Sequence, residues 1–255
     1  MPIKEKKPLV SIILPVYNGS KSLSACIKSL LTQTYKQIEI IAIDDHSKDE
    51  SYKMLRSFHK KDKRLRIARN VKHYGLATTL NRCLRKTKGK FIAFMNTRDE
   101  SKKNRIIKQL TYILAHPKTA VVGTQCFFMT EGRGRIGKSA FPTQNESIVK
   151  SLTNDITLTF ESTLINTYML PRDLLRFDNH AYPFLFTSLF AKILPFGIIE
   201  NLNSHLYARV IYQKSLRSNL RESLLPSITA WVKTTVISGS RPPIRSVFFP
   251  LIKTP

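Results

Sequence analysis

The first half of the chain alternates short apolar runs with longer amphipathic segments, and this alternation limits the folds open to it. The apolar runs occupy residues 9–16, 38–43, 65–68, 91–95 and 120–128. Between them, apolar residues recur at spacings of three and four, which predicts helices. Strands that alternate with helices favour a parallel sheet. We therefore predict an α/β fold with a mostly parallel central sheet and helices on both faces.

The pattern loosens after Thr130. Residues 131–135 form a basic, glycine-containing stretch, residues 147–153 are compatible with a helix, and residues 157–165 are apolar. The last forty residues are basic and proline-containing, which is typical of a poorly ordered tail. A chain of 255 residues can bury one core with an appendage. We predict one domain over residues 8–214, with a boundary between residues 128 and 129, followed by a basic tail over residues 215–255.

The charge and the cysteines indicate partners and compartment. The formal net charge is +25, which calls for a polyanionic neighbour: nucleic acid, an anionic membrane face or a phosphorylated ligand. No nucleic-acid module is recognisable, so no nucleic acid is expected. Cys26, Cys83 and Cys126 lie far apart, without the spacing of a zinc site or a disulfide framework. A reducing, cytoplasmic compartment is predicted, and the charged start does not resemble a signal peptide.

Residues 182–199 are the most apolar stretch of the second half. Pro183, Lys192 and Pro195 interrupt it. A buried helix or a segment at a membrane surface therefore fits better than a membrane span.

Polar residues follow the apolar run at 91–95, where residues 96–101 read NTRDES. In open α/β sheets, ligands bind at the carboxyl ends of the strands. Residues 96–101 are therefore the first candidate site, and a solvated loop without a ligand is the alternative. Neither a G-x-G-x-x-G turn nor a Walker A loop is present, so dinucleotide binding and P-loop hydrolysis are disfavoured.

Two further side chains stand at predicted strand ends. Asp45 could accept hydrogen bonds from a uracil-type imide or a ribose, or it could be an acid at a helix N-terminus. Tyr17 could stack on a base or pack over the edge of the sheet. The pair Ser47 and Glu50 has the spacing of a capping box, which predicts that Ser47 caps the following helix.

Several segments together resemble family-2 glycosyltransferases of the GT-A fold. They are VSIILPVYNG at 10–19, LLTQTY at 30–35, IDDHSKD at 43–49, YGLA at 74–77 with Asn81, KGKFIA at 88–93, HP at 116–117 and VVGT at 121–124. The resemblance implies a nucleotide-diphosphate sugar as donor, with a UDP-sugar favoured. It implies that Pro15, Tyr17 and Asp45 hold the base and ribose.

The same resemblance implies a division of labour and a pathway. Residues 8–128 would bind the nucleotide-sugar, and residues 129–214 would bind a glycan or lipid-linked acceptor. Transfer to an acceptor hydroxyl would serve the synthesis of envelope polysaccharide or glycolipid. The basic tail and the helical lysines would hold the protein at the anionic inner face of the membrane.

The chain departs from the family at its metal site. Asn96, Thr97 and Arg98 stand where the family carries an Asp-x-Asp motif that binds the ribose and a divalent metal, Mg²⁺ or Mn²⁺. Only the adjoining Asp99 is acidic, and it is predicted to be at most a weak metal ligand. Arg98 cannot bind a cation but can donate two hydrogen bonds to a phosphate. Metal-independent donor binding through Asn96 and Arg98 is predicted, with a decayed site as the alternative.

The chemical half departs as well. Residues 160–163, FEST, occupy the place of a histidine-containing segment, and residues 181–186 contain no acid where the family has its general base. No catalytic residue can be assigned on these grounds. An active transferase, a donor-binding protein without catalysis, and a basic protein that binds nucleic acid or an anionic membrane all remain open.

Overall fold

The computed structural model describes residues 7–151, 158–181 and 185–211. Its strands are β1 Val10–Val16, β2 Ile38–Asp44, β3 Leu65–Arg69, β4 Phe91–Phe94, β5 Glu100–Ser101, β6 Thr119–Met129, β7 Arg135–Lys138, β8 Leu164–Asn166 and β9 Ile198–Val210. Its helices are α1 Ser20–Leu31, α2 Ser51–Lys61, α3 Leu76–Leu84, α4 Arg105–Ala115, α5 Asn145–Ser151 and α6 Leu185–Ile193.

The strands form one mixed sheet in the order β3-β2-β1-β4-β8-β6-β9-β5, with β7 paired to β6. β3, β2, β1 and β4 run parallel to one another, as the alternation predicts. β8 is antiparallel to both β4 and β6, and β6 runs parallel to the long strand β9. The parallel half therefore comes from the β-α alternation, and the second half closes the sheet with mixed pairing.

Each face of the sheet buries its own apolar core. In β1, Ile12 and Leu14 pack with α1, α2 and α4, whereas Ile13 points to the opposite face and packs with α3 and α6. This alternation follows from the two-residue period of a strand. The prediction of an α/β sheet with helices on both faces is confirmed.

Two local predictions were wrong. The segment between the apolar runs at 91–95 and 120–128, which is predicted to be helical from residue 101 to residue 116, forms a helix only from Arg105, because Glu100–Ser101 pairs with β9 as a short strand. Ser47 does not cap α2, which begins at Ser51 with Glu50 at the N-cap. The hydroxyl of Ser47 instead accepts a hydrogen bond from the backbone of Asn18, so a contact distant in sequence replaces the local one.

The remaining predictions in the second half are met in part. The helix expected over 147–153 is α5, Asn145–Ser151, and its last two expected residues lie outside the described residues. The apolar stretch 157–165 comprises a 3-10 turn, Phe160–Ser162, followed by β8. The tail over 215–255 lies outside the described residues, and the boundary after residue 128 stays a prediction. Of the helices that the structure describes, none is both long enough and apolar enough to cross a bilayer.

The entry into β4 depends on a close approach between two backbones. A Cβ added to Gly89 would lie 2.5 Å from the carbonyl oxygen of Leu9 and 2.8 Å from Oγ of Ser11. The Gly89 amide also donates to that Ser11 hydroxyl at 2.9 Å. Because one of the obstructing atoms is backbone, a larger residue cannot be accommodated by a rotamer change alone.

Gly89→Ala is therefore expected to lower the free energy of unfolding by about 1–3 kcal/mol, the usual cost of overpacking. Urea unfolding would measure this loss. Gly132→Ala is the matched control, because its added Cβ would meet only an ordinary contact at 3.8 Å. Equal stability of the two variants would contradict the close-packing argument.

Candidate functional site

A cavity of about 870 Å³ opens at the carboxyl ends of β1, β2 and β4. Five of the six residues predicted from the sequence line it: Pro15, Tyr17, Asp45, Asn96 and Arg98. They meet because parallel strands end at the same edge of a sheet. The sixth residue, Asp99, does not line this cavity.

Asp45 is buried, and its carboxylate organises the neighbouring loop. It accepts hydrogen bonds from Nδ2 of Asn70 at 2.6 Å and from the amides of Tyr74 and Gly75 at 2.9 and 2.8 Å. Nδ1 of His73 lies 2.9 Å from Oδ2. Burial alone would raise the pKa of Asp45, but these hydrogen bonds outweigh it and hold the pKa below its ordinary value. Asp45 therefore shapes residues 73–75 as one wall of the cavity.

Tyr17 and His73 form an aromatic pair on this wall. Their rings are stacked, with centroids 4.1 Å apart, and 45% of the Tyr17 surface is exposed. The ring packs against His73 and also lines the cavity, where stacking of Tyr17 on a base stays a prediction. His73 was missed by the sequence analysis, although it directly precedes the Tyr74-Gly75 motif.

The loops after β1 and β2 are fastened to each other beneath the cavity. The amide of Gly19 donates to Oγ of Ser51 at 2.9 Å, and the amide of Ser20 donates to Oδ2 of Asp49 at 2.9 Å. Burial opposes ionisation of Asp49, but hydrogen bonds from Ser51 and Ser20 lower its pKa to about 2. Asp49 thus holds a negative charge at the start of α1, where the helix dipole favours it.

Residues 96–98 lie across the cavity from this wall. The side-chain oxygen of Asn96 accepts from the Arg98 amide at 3.1 Å, which fixes the turn after β4. Arg98 is exposed and lines the cavity. A guanidinium in this position is suited to an anionic group such as a phosphate.

Asp99 faces the interior instead. Its carboxylate accepts from the hydroxyl of Tyr207 at 2.9 Å and from the amide of Val210 at 2.9 Å, tying the turn after β4 to β9. Burial, and then the negative charge of Glu161, raises the pKa of Asp99 to about 7. A weak metal-binding role for Asp99 stays a prediction, and its hydrogen bonds favour a structural role.

The carboxylates of this cavity do not fit a divalent cation. Among the described residues, Asp45 and Glu161 are the two acids that line it. The carboxylate of Asp45 already accepts hydrogen bonds from Asn70 and Gly75 in the loop after β3. Within residues 7–151, 158–181 and 185–211, no three His, Cys, Asp or Glu side chains are grouped as metal ligands. A cation that needs several oxygen ligands beside a diphosphate would lack them here.

Glu161 is the second cavity residue that the sequence analysis missed. It is the single acid of residues 157–165, which was the available signal. Its 3-10 turn is held by Arg105, a fully buried guanidinium that donates to the carbonyl of Glu161 at 3.2 Å and to that of Phe94 at 3.3 Å. Phe160 and Phe186 stack beside it with centroids 3.5 Å apart. The acid is therefore carried on a well-supported turn.

A nucleotide-sized cavity at the carboxyl edge of a mixed α/β sheet is the arrangement of a GT-A glycosyltransferase. The model of the family "Glycosyl transferase family 2" matches residues 11–173. The chain belongs to this family, as its motifs predict.

Curated relatives agree. The chain is 36% identical over 125 residues to an uncharacterized glycosyltransferase of Haemophilus influenzae, covering 49% of this chain and 50% of the relative. It is 28% identical over 161 residues to the putative teichuronic acid biosynthesis glycosyltransferase TuaG of Bacillus subtilis, covering 63% and 59%.

A third relative is the UDP-Glc:alpha-D-GlcNAc-diphosphoundecaprenol beta-1,3-glucosyltransferase WfgD of Escherichia coli, 30% identical over 166 residues, with 64% of each chain covered. In these three matches the chain spans between half and two thirds of the relative's length.

Solved structures confirm the GT-A fold. Residues 1–349 of TarS from S. aureus, in complex with UDP, superpose with a TM-score of 0.71 at 19% identity, covering 90% of this chain and 65% of the TarS 1–349 chain. The mannosyltransferase PcManGT from Pyrobaculum calidifontis, in complex with GDP-Man and Mn2+, gives a TM-score of 0.67 at 13% identity, covering 97% and 69%.

The environment of Asp99 predicts a pH-dependent stability. Because its folded-state pKa is raised, Asp99 contributes stability that is present at low pH and lost as the pH rises through about 7. Asp99→Asn removes this titration and keeps an acceptor for the Val210 amide. Between its ordinary pKa of 3.8 and about pH 7, the variant should gain on the wild type by about 1.4 kcal/mol per pH unit. Above pH 7 the difference should level off, because Asp99 is then ionised in both the folded and the unfolded state.

Urea unfolding at several pH values on both sides of neutrality measures the difference. Asp62→Asn is the control, because Arg64 lowers the pKa of Asp62 and its titration lies at acid pH. A difference between Asp99→Asn and the wild type that stays constant from about pH 5 to pH 7 would contradict the buried, protonatable environment.

Proposed function

We propose that this chain transfers a sugar from a UDP-sugar to an acceptor hydroxyl in the synthesis of cell-envelope polysaccharide or glycolipid. The observation that carries the proposal is the cavity at the carboxyl edge, where Tyr17, Asp45 and Arg98 converge. The names of TuaG and WfgD support an envelope pathway, and the UDP complex of TarS supports the base. The donor sugar and the acceptor are not specified by these similarities.

The proposed donor site has two parts. The wall made by Tyr17, His73 and the loop anchored on Asp45 receives the base and ribose, with stacking on an aromatic ring and hydrogen bonds to the polar groups of the loop. Asn96 and Arg98 face the diphosphate, whose charge the guanidinium neutralises as the leaving group departs. Because the acids of the cavity do not suit a divalent cation, donor binding is proposed to be metal-independent.

Glu161 is proposed as the general base. Among the described residues it has no hydrogen-bond partner for its carboxylate, in contrast to Asp45. In the proposed step, Glu161 takes the proton of the acceptor hydroxyl while that oxygen bonds to the anomeric carbon. The bond between this carbon and the diphosphate oxygen breaks, and UDP leaves with the electron pair, so the configuration at the anomeric carbon inverts.

A donor-binding protein without catalysis is the second candidate. It is favoured by the absence of an acid at residues 181–186, of which 182–184 lie outside the described residues. Peripheral attachment to an anionic membrane by the basic tail is likewise a proposal, because that tail lies outside the described residues.

Arg98→Ala tests the donor site. In the absence of metal, calorimetry with UDP should show binding weakened by about tenfold, since a charge-assisted pair to phosphate is lost. Binding of uridine, which lacks the phosphates, should not change. Lys103→Ala is the control, an exposed cation that does not line the cavity.

Two results would contradict the metal-independent site. One is a severalfold gain in wild-type UDP affinity on adding Mn²⁺ or Mg²⁺, which would favour Asp99 as a metal ligand. The other is an unchanged UDP affinity of Arg98→Ala, which would favour a decayed diphosphate site.

Glu161→Gln tests catalysis. The substitution keeps the shape and removes the base, so release of UDP from a UDP-sugar in the presence of an envelope lipid extract should fall roughly 10²–10⁴-fold. UDP affinity should be retained. Glu100→Gln is the control, because Glu100 pairs with Arg133 and does not line the cavity.

If the wild type binds UDP but releases none from any UDP-sugar, the binding-only candidate is correct. If Glu161→Gln turns over like the wild type, another residue is the base.

A further inference from the structure

A second concave surface lies beside the donor cavity and is strongly basic. This basic groove, of about 970 Å³, runs between α3 and residues 167–179. Its charged lining residues are Arg85, Lys88, Lys90, Arg172, Arg176 and Asp173. Cations therefore outnumber acids by five to one along it.

The cations of the groove have no carboxylate partner within the part of the chain that the structure describes. The arginines that do form ion pairs with nearby acids lie elsewhere, as in Arg64 with Asp62 and Arg69 with Asp44. The five groove cations are exposed. Like charges gathered in a concave surface focus the potential and attract an anion.

The walls of the groove are fixed in place. Nδ2 of Asn81 donates to the carbonyl of Phe177 at 2.8 Å, and the amide of Phe177 donates to Oδ1 of Asn81 at 2.8 Å. At the far end, the hydroxyl of Thr167 donates to the carbonyl of Lys90 at 2.8 Å. A preformed groove needs little ordering when it binds a ligand.

The groove leads directly to the donor cavity. Asn179 lines both of them, and Oγ1 of Thr78 donates to its side-chain oxygen at 3.2 Å. A chain whose terminal hydroxyl enters the cavity can therefore continue past Asn179 along α3. Tyr168, with 70% of its surface exposed, also lines the groove and offers a ring face for a sugar.

We propose that the basic groove binds an anionic segment of the acceptor glycan, a chain that carries carboxylate or phosphate groups. The inference rests on the proposed transferase function for its link to the donor cavity. Guanidinium groups recognise carboxylates and phosphates by paired hydrogen bonds. The groove contains three guanidinium groups, those of Arg85, Arg172 and Arg176. The acceptor is thus selected by charge at a distance from the reacting hydroxyl.

Fluorescence polarisation with a labelled oligogalacturonate tests the groove, with a dextran oligomer of equal length as the neutral probe. The wild type should bind the anionic glycan with an affinity that falls as salt is added, and it should not bind dextran. Lys88→Glu with Lys90→Glu, and separately Arg172→Glu with Arg176→Glu, should each weaken binding about tenfold or more. Lys103→Glu with Lys108→Glu, exposed on or beside the opposite helix α4, is the matched control.

UDP binding, measured on the same proteins, separates this inference from the proposed function. Retained UDP binding with lost glycan binding in the groove variants supports the groove alone. Glycan binding by a wild type that fails to bind UDP would support an anionic-glycan groove and remove the transferase proposal. Equal losses in the groove and control variants would overturn the groove.

Vesicles of phosphatidylglycerol are the remaining arm. If the two double variants of the groove sediment less with these vesicles but bind oligogalacturonate like the wild type, the groove contacts a membrane and the acceptor assignment is overturned.

Discussion

The carboxylate of Asp45 is the interaction on which the candidate site depends. It ends β2 at the edge of the sheet and gathers Asn70, His73, Tyr74 and Gly75 around one buried charge. A buried carboxylate is stable only when its lone pairs are satisfied, so the loop that satisfies them has little freedom. The stacked Tyr17 and His73 rings and the start of α3 follow from this one anchor. This wall of the cavity therefore follows from the need to satisfy a buried carboxylate at the end of a strand.

Much of this could be predicted from the sequence, because it depends on local patterns. Apolar runs with two-residue and helical periods predicted the strands and helices of the first half. Strand ends, together with the resemblance to the family, predicted the five site residues that line the cavity. Asp99 was beyond such reasoning. It adjoins the cavity residue Arg98, but its direction is set by Tyr207 and Val210, over a hundred residues away in sequence. Arg98 and Asp99 are consecutive residues, yet the side chain of Arg98 lines the cavity and that of Asp99 is buried.

The sequence analysis missed Glu161 and misassigned the helix cap at Ser47 for the same physical reason. Glu161 stands in an apolar stretch whose period predicts neither strand nor helix, and a buried arginine from α4 fixes its 3-10 turn. Ser47 satisfies the local rule for a helix cap, yet the backbone at the start of α1 engages its hydroxyl. In both cases a polar contact between distant segments determines the local geometry, and no window of sequence contains both partners.

The departure from the family's metal-binding motif at Asn96 and Arg98 is consistent with the strongly basic charge of the chain. With Asn96 and Arg98 at positions where the family carries acids, the cavity has a guanidinium there and lacks the two carboxylates that would bind a metal. A diphosphate brings its own negative charge, and one guanidinium neutralises only part of it. In the proposed reaction, the leaving group therefore relies more on the surrounding potential, which the cations of the basic groove raise. Under the proposed function, the basic charge of the chain and the lack of an Asp-x-Asp motif at residues 96–98 are linked, because arginine and lysine side chains then provide the positive charge for the donor and its acceptor.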